Sequence, residues 1–151
     1  MGRLTLIPLV SLVVLACAAC GGVKQTAASG SLPSPLVKQI QAEVLKQAVI
    51  LGASSAKSIE VYGPASHVAI ERASSPGSVG GTRVAGAWYL IVLRGNFAWN
   101  GPVPPGAKQP HGKIAMEVWS PKTSAGGGYS LGNRLPKTVS RLKSPTVIDL
   151  S

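Results

Sequence analysis

The sequence predicts an α+β domain in which one N-terminal amphipathic helix packs on a four- to five-stranded antiparallel sheet. Between residues 35 and 51, apolar side chains recur at spacings of three and four, which is typical of a helix with one buried face. After Gly52, β-branched and aromatic residues alternate with polar ones, and clusters of Gly, Pro and Ser separate these stretches. One helix followed by a run of strands indicates the α+β class.

The helix is the first element. We expect Ser34 to be its N-cap, Pro35 to occupy its first position and Gly52 to end it. Its apolar face is expected to pack against the core. A helix lying on a membrane surface is the alternative, which Glu43 and the presence of only two lysines disfavour. The apolar residues are Leu36, Val37, Ile40, Val44, Leu45, Ala48 and Val49.

Strands follow the helix. Residues 86–99 hold the longest apolar run and are predicted to form the central strand, with a bulge or bend at Gly95. The last two predicted strands are expected to form a hairpin. The predicted strands are residues 59–63, 68–71, 86–99, 113–119 and 129–131.

The N-terminus begins with a short apolar segment. Arg3 precedes residues 4–16, which are too few to span a bilayer, since a stable transmembrane helix needs about 20 residues. This arrangement is typical of a secretory signal. The small and aliphatic residues around Cys17 and Cys20 resemble the lipobox of bacterial lipoproteins, in which a diacylated cysteine becomes the mature N-terminus. Residues 14–17 and 17–20 both fit, so lipid attachment is predicted at Cys17 or Cys20, with a slight preference for Cys17.

The lipobox resemblance implies an exported protein, lipid-anchored on the extracytoplasmic face of the cell membrane. The predicted organisation is a signal peptide and lipobox at residues 1–20, a flexible tether at 21–33 and a single α+β domain at 34–151. The alternative is that Cys17 and Cys20 are ordinary thiols or form a disulfide in a conventionally cleaved protein. A domain of this size buries a core without disulfides.

The order of one helix and several strands resembles cystatin-like and PepSY-like exported domains. Residues 88–97, 103–107 and 132–136 are also similar to uncharacterised secreted lipoproteins of bacteria. No inhibitor or metal motif of the cystatin-like or PepSY-like families matches the chain, so these resemblances imply an architecture and no activity.

The chain is strongly basic, with 15 Lys and Arg against five Asp and Glu and a net charge of +10. Such charge attracts anionic lipids, wall polymers or nucleic acid over long range. The basic residues are scattered, except for Lys137, Arg141 and Lys143. The alternative is a solvated basic surface with no dedicated partner. Nucleic-acid binding is disfavoured by the export signal and by the lack of interleaved basic and aromatic residues.

Residues that support catalysis are few. The histidines are His67 and His111, and no spacing of His, Cys, Asp or Glu suits zinc or calcium. We therefore predict no metal, no cofactor and no enzymatic activity, and favour a non-catalytic binding or interaction module. The alternative is an envelope enzyme, or an enzyme accessory, in which His111 acts with Glu117.

The candidate binding surface is the proline-rich loop at residues 101–112 with the strands beside it. Its partner is expected to be a protein or an anionic envelope polymer, and the oligomeric state is not predicted. The alternatives are that the loop is a rigid connector and that the aromatic residues belong to the core. The candidate residues are Trp88, Arg94, Phe97, Trp99, Pro104, Pro105, His111 and Lys113.

Overall fold

A computed structural model describes residues 25–27, 31–52, 56, 58–77, 84–123 and 127–149. Cys17 and Cys20 lie outside these residues. The strands form one antiparallel sheet in the order β1-β6-β2-β3-β4-β5. The predicted α+β class is confirmed, with β2 to β6 supplying five strands of the sheet. The elements in chain order are β1 (Gln25–Ala27), α1 (Ser34–Leu51), β2 (Ser58–Ala65), α2 (His67–Ser74), β3 (Trp88–Ala98), β4 (His111–Trp119), β5 (Gly127–Gly132), a 3₁₀-helix (Lys137–Arg141) and β6 (Thr146–Asp149).

Both faces of the sheet are covered. The α1 core lies between α1 and one face, and it takes Tyr89, Ile91 and Leu93 from β3. The α2 core lies between the opposite face and α2 with the 3₁₀-helix, and it takes Leu90 and Val92. Because successive side chains of a strand point to opposite faces, β3 must be apolar at every position here. This explains the unbroken apolar run, and the shift in register between Arg94 and Phe97 confirms the predicted irregularity at Gly95.

Helix α1 is confirmed, but it begins differently from our prediction. Ser34 is already helical, and Pro33 is the cap: its carbonyl accepts from the N–H groups of Leu36 and Val37 at 2.9 and 3.1 Å. The cap residue supplies no side-chain hydrogen bond to this helix, so Ser34 is not the N-cap that we expected. The predicted stop is confirmed, because Gly52 adopts a left-handed conformation with φ of 58°.

The buried face of α1 is narrower than predicted. Val37, Ile40, Val44 and Leu51 are buried, while Leu45 and Val49, which we expected in the core, are exposed. Leu45 lies about 100° around the helix from Val44, and Val49 lies about 140° from it, so both fall outside the stripe that spacings of three, four and seven define.

The predicted strand at residues 68–71 is wrong, because these residues belong to α2. The Ser66 hydroxyl caps this helix by accepting from the N–H of Ala69 at 3.3 Å. Ile70 and Ala73, three positions apart, face the α2 core. The cap and the helical spacing therefore prevail over the local alternation of Val68 and Ile70.

The sheet also includes residues that we expected to be a flexible tether. Strand β1 pairs with β6, with Gln25 opposite Ile148 and Ala27 opposite Thr146. Leu32, in the same predicted tether, is buried in the α1 core. Only residues 21–24 therefore separate Cys20 from the first residue of the sheet.

Candidate binding surface

The aromatic candidates Trp88 and Phe97 do not contribute to one binding surface. Trp88 is buried in the α2 core and Phe97 in the α1 core, so they lie on opposite faces of the sheet. The Trp88 ring packs against His67 with centroids 4.1 Å apart, and its Nε1 donates to the Val84 carbonyl at 3.2 Å. Both side chains are removed from the surface because each lies on a part of β3 whose face is covered. This corrects the prediction that they contribute to a binding surface.

The loop after β3 is closed by its own hydrogen bonds. The backbone N–H of Trp99 donates to Pro110, and its Nε1 donates to Pro102 at 3.4 Å. Gln109 donates to the Trp99 carbonyl. A Cβ at Gly101 would come within 2.6 Å of the Trp99 ring, so the ring lies against the bare backbone. Trp99 is half-buried and acts as the centre of this loop.

The same loop is joined to α1. The Asn100 backbone N–H donates to the Ile50 carbonyl at 2.9 Å, and its side chain donates to Val49 at 3.4 Å. These contacts favour the rigid-connector interpretation. The other loop candidates, Pro104, Pro105, His111 and Lys113, are exposed, and their binding roles stay predictions.

Arg94 is half-exposed and paired. Its guanidinium bonds to Glu60 through Nε and through Nη2, the latter at 3.3 Å from Oε2, and the Tyr62 hydroxyl donates to the same Oε2 at 2.9 Å. Burial, with Glu60 beside it, raises the pKa of Tyr62 to about 12. The charge of Arg94 is therefore largely compensated within the protein.

His111 and Glu117 are not brought together. They lie six residues apart on β4, a separation of about 20 Å along a strand. His111 is exposed, while Glu117 is 3% exposed beneath α1. This geometry removes the acid–base pair on which the enzymatic alternative depended.

Glu117 instead belongs to a buried polar cluster between α1 and the sheet. Burial raises its pKa to about 7, the nearby Glu43 adds to this effect and the Tyr129 hydroxyl opposes it. Burial also raises the pKa of Tyr129, and the charge of Glu117 adds to that increase. Glu117 and the Tyr129 hydroxyl are buried beside each other, and the space next to them has no room for water. The cluster is closed to substrates.

An open groove lies on the surface of α2. A first hollow of about 360 Å³ lies at the N-terminal end of α2, and a second of about 210 Å³ lies between α2 and the 3₁₀-helix. Arg72 lines both hollows, and Arg141 lines the second. We call these two hollows the α2 groove. The first is lined by Ser66, His67, Val68, Arg72 and Val84, and the second by Ala69, Arg72, Ala73, Thr138, Arg141 and Leu142.

The packing of the 3₁₀-helix on α2 brings the two arginines to one hollow. The Thr138 hydroxyl donates to the Ala73 carbonyl at 2.7 Å, and Val139 is fully buried in the α2 core. These contacts join the 3₁₀-helix to α2. Since Ile70 and Ala73 face inward, Arg72 points outward and reaches the same hollow as Arg141.

The α2 groove carries excess positive charge. Lys137 and Lys143 are exposed beside Arg141. On the same helix, Glu71 lies 3.5 Å from His67, at the first hollow. The sequence indicated the basic group at Lys137, Arg141 and Lys143, but it missed Arg72 because residues 68–71 were predicted as a strand. Ser66 as a cap, with Ile70 and Ala73 three apart, was the signal that would have identified the helix.

Comparisons with family models, with curated proteins and with solved structures found no match to this chain. Among the described residues, no helix has the length and apolar character to cross a membrane. In the same parts of the chain, no three His, Cys, Asp or Glu side chains gather in a group able to hold a metal ion. The α2 groove, with its two arginines, is the feature on which a functional proposal rests.

Proposed function

We propose that this chain is a lipid-anchored extracytoplasmic binding module, without catalytic activity, whose α2 groove holds an anionic polymer of the cell envelope. The observation that carries the proposal is the convergence of Arg72 and Arg141 on one hollow of about 210 Å³. The lipobox-like residues around Cys17 and Cys20 support the anchor and the location.

The chemistry of arginine favours phosphate as the group recognised. The planar guanidinium presents paired donors that match phosphate oxygens, and it remains charged at every physiological pH. Arg72 and Arg141 occupy opposite elements of the groove, so one anionic group between them would be attracted from both sides. Lys137 and Lys143 extend the positive field, which suits a partner with repeated negative charges.

Replacement of both groove arginines tests the site. We expect R72Q/R141Q to bind a poly(glycerol phosphate) chain at least ten times more weakly than the wild type, as measured by fluorescence anisotropy at low salt. Binding by the wild type should weaken as salt rises, because exposed charges are screened within about 10 Å at 0.1 M. The matched control is K108Q/K113Q, which removes two exposed charges elsewhere.

Equal losses in R72Q/R141Q and K108Q/K113Q would contradict the groove and favour the solvated basic surface. Unchanged affinity in R72Q/R141Q would contradict it as well. Circular dichroism spectra identical to that of the wild type would show that the variants are folded.

Replacement of both cysteines tests the anchor. We expect the C17S/C20S chain to move from the membrane fraction to the soluble fraction, because two acyl chains hold a protein stably and their removal leaves only weak contacts. Mass spectrometry of the wild-type chain should find an acylated cysteine at the mature N-terminus. An unmodified N-terminus, or firm sedimentation of the C17S/C20S chain with membranes, would contradict the anchor.

A further inference from the structure

We propose that the outer face of α1 is a second membrane contact, which lies on the bilayer that carries the acyl anchor. The inference rests on the proposed lipid anchoring and adds a surface and an orientation to it. By the α1 outer face we mean Lys38, Ala42, Leu45, Lys46, Val49 and Ile50, all of which are exposed.

The α1 outer face is unusually apolar. Leu45 is 68% exposed and Val49 is 77% exposed, and with Ile50 they are three of the four large hydrophobic residues exposed among the described residues. Leu45 and Val49 are four positions apart, so they form one stripe on the helix. An exposed apolar stripe with polar residues around it is typical of a surface that contacts a membrane or another protein.

The charges on α1 suit anionic headgroups. Glu43 is the single acidic residue in the α1 sequence, and its side chain is buried toward the sheet. Lys38 and Lys46 flank the apolar stripe, and the Lys46 side chain is 72% exposed although its Nζ lies 3.4 Å from Glu43. The carboxylate that disfavoured a membrane-surface helix in the sequence is therefore turned toward the sheet, where it offsets part of the charge of Lys46.

The length of chain before β1 keeps the domain close to the bilayer. Gln25 is fixed in the sheet by its pairing with Ile148. Five peptide units separate Cys20 from Gln25, which reach at most about 18 Å, and eight separate Cys17 from Gln25, which reach at most about 29 Å. An acylated Cys17 or Cys20 at the membrane surface therefore holds the sheet within this distance of the lipid.

The N-terminal end of β1 points toward the end of the sheet at which α1 terminates. Gln25 lies opposite Ile148, Ile148 opposite Ile59, and Ile59 opposite Leu93, midway along β3. Thr26 lies in line with Val92 in the same way, so β1 runs toward Gln25 in the direction in which β3 runs toward Asn100. Asn100, seven residues beyond Leu93, bonds to the Ile50 carbonyl at the C-terminal end of α1. The chain that leads to the anchor therefore leaves the sheet on the side where α1 ends.

The same geometry orients the α2 groove. Helix α2 follows Ala65, which pairs with Trp88 at the opposite end of β2 and β3, and it packs on the face of the sheet away from α1. With α1 on the bilayer, the α2 groove faces away from the membrane. This arrangement presents the groove to polymers outside the lipid.

The test measures vesicle binding in the C17S/C20S background, where no acyl chain is attached. We expect this chain to bind vesicles of phosphatidylcholine with phosphatidylglycerol more tightly than vesicles of phosphatidylcholine alone. Adding L45Q/V49Q should reduce sedimentation with the anionic vesicles at least tenfold. The matched control is A85Q/A87Q, which changes two exposed apolar residues outside the α1 outer face and outside the lining of the α2 groove. Residues 4–16 are identical in all these chains, so any affinity that they have for lipid contributes equally to each variant in the comparison.

Equal vesicle binding by the L45Q/V49Q and A85Q/A87Q chains would overturn the α1 contact, and so would the absence of any binding to anionic vesicles. A dimer in light scattering that L45Q/V49Q abolishes, with vesicle binding unchanged, would overturn it in favour of a second copy of the chain on this face. An unmodified N-terminus in the wild type would contradict the proposed anchor instead. The two failures are therefore distinguishable.

Discussion

Replacing Glu117 with glutamine should raise the free energy of unfolding above about pH 8 by about 3 kcal/mol and change it little near pH 4. Glu117 lies on β4 and is buried beneath α1, and this burial raises its pKa from 4.5 to about 7. The ionised form is therefore disfavoured in the folded protein, whereas it is fully solvated in the unfolded chain.

The direction of the effect follows from the order of the two pKa values. Because the pKa is higher in the folded state, stability is greatest below about pH 4.5, where the carboxyl is protonated in both states. Stability falls as the pH rises toward about 7 and is constant above it. Groups facing Glu117 from the packed elements are Glu43 and Gln47 on α1 and Tyr129 on β5. Glutamine retains the shape without the charge.

The measurement is urea unfolding of the wild type and E117Q from about pH 4 to pH 8. The difference between the two proteins isolates Glu117, since the other titrating groups are common to both. E71Q is the control, because it also removes one carboxylate from a basic protein but does so on α2, at a partly exposed position. A difference between the wild type and E117Q that does not grow between about pH 5 and pH 7 would contradict a raised pKa for Glu117.

The elements that the sequence predicted correctly have strong local signals. Gly52 ends α1 because a left-handed conformation is required there. The run in β3 indicated a buried strand because it is apolar at every position from Trp88 to Leu93. At α2 the sequence carries two competing local patterns. The Ser66 cap with Ile70 and Ala73 three positions apart indicates a helix, while the alternation of Val68 and Ile70 indicates a strand, and our prediction followed the strand.

The candidate site depended on contacts far apart in sequence. Whether Trp88 or Phe97 is exposed depends on how many faces of the sheet are covered, and that depends on α2 and the 3₁₀-helix. The α2 groove forms because Thr138 bonds to Ala73, 65 positions earlier in the chain. No local pattern indicates this contact, so Arg72 and Arg141 could be predicted as basic residues but not as neighbours.

We expect a substitution at Gly63, near the end of β2 that leads into α2, to disturb the α2 groove more than a backbone change elsewhere. The pairing of β2 with β3 shifts register between Tyr62 and Ala65, and Gly63 lies inside this shift with φ of 127°. A Cβ at Gly63 would lie 2.7 Å from the carbonyl oxygen of Trp88, which is backbone and cannot rotate away. Alanine at this position therefore combines a disfavoured conformation with a steric clash.

We expect G63A to lower the free energy of unfolding by about 3 kcal/mol. The matched control is G77A, because Gly77 also has a positive φ, of 99°, but an added Cβ would meet nothing within 4 Å. Conformational strain alone should cost that variant about 1 kcal/mol. Urea unfolding at one pH measures both variants, and the difference between them reports the clash with Trp88.

Because Gly63 lies close to where the chain enters α2, G63A should also affect polymer binding by the groove. Relief of the clash must move β2 or β3 where the chain turns into α2, and Arg72 moves with α2. We therefore expect G63A to bind poly(glycerol phosphate) more weakly than G77A at temperatures where both proteins remain folded. Equal free energies of unfolding for G63A and G77A would show that the backbone around Gly63 rearranges at no cost in stability. Equal polymer binding would show that the backbone at Gly63 does not fix the position of Arg72.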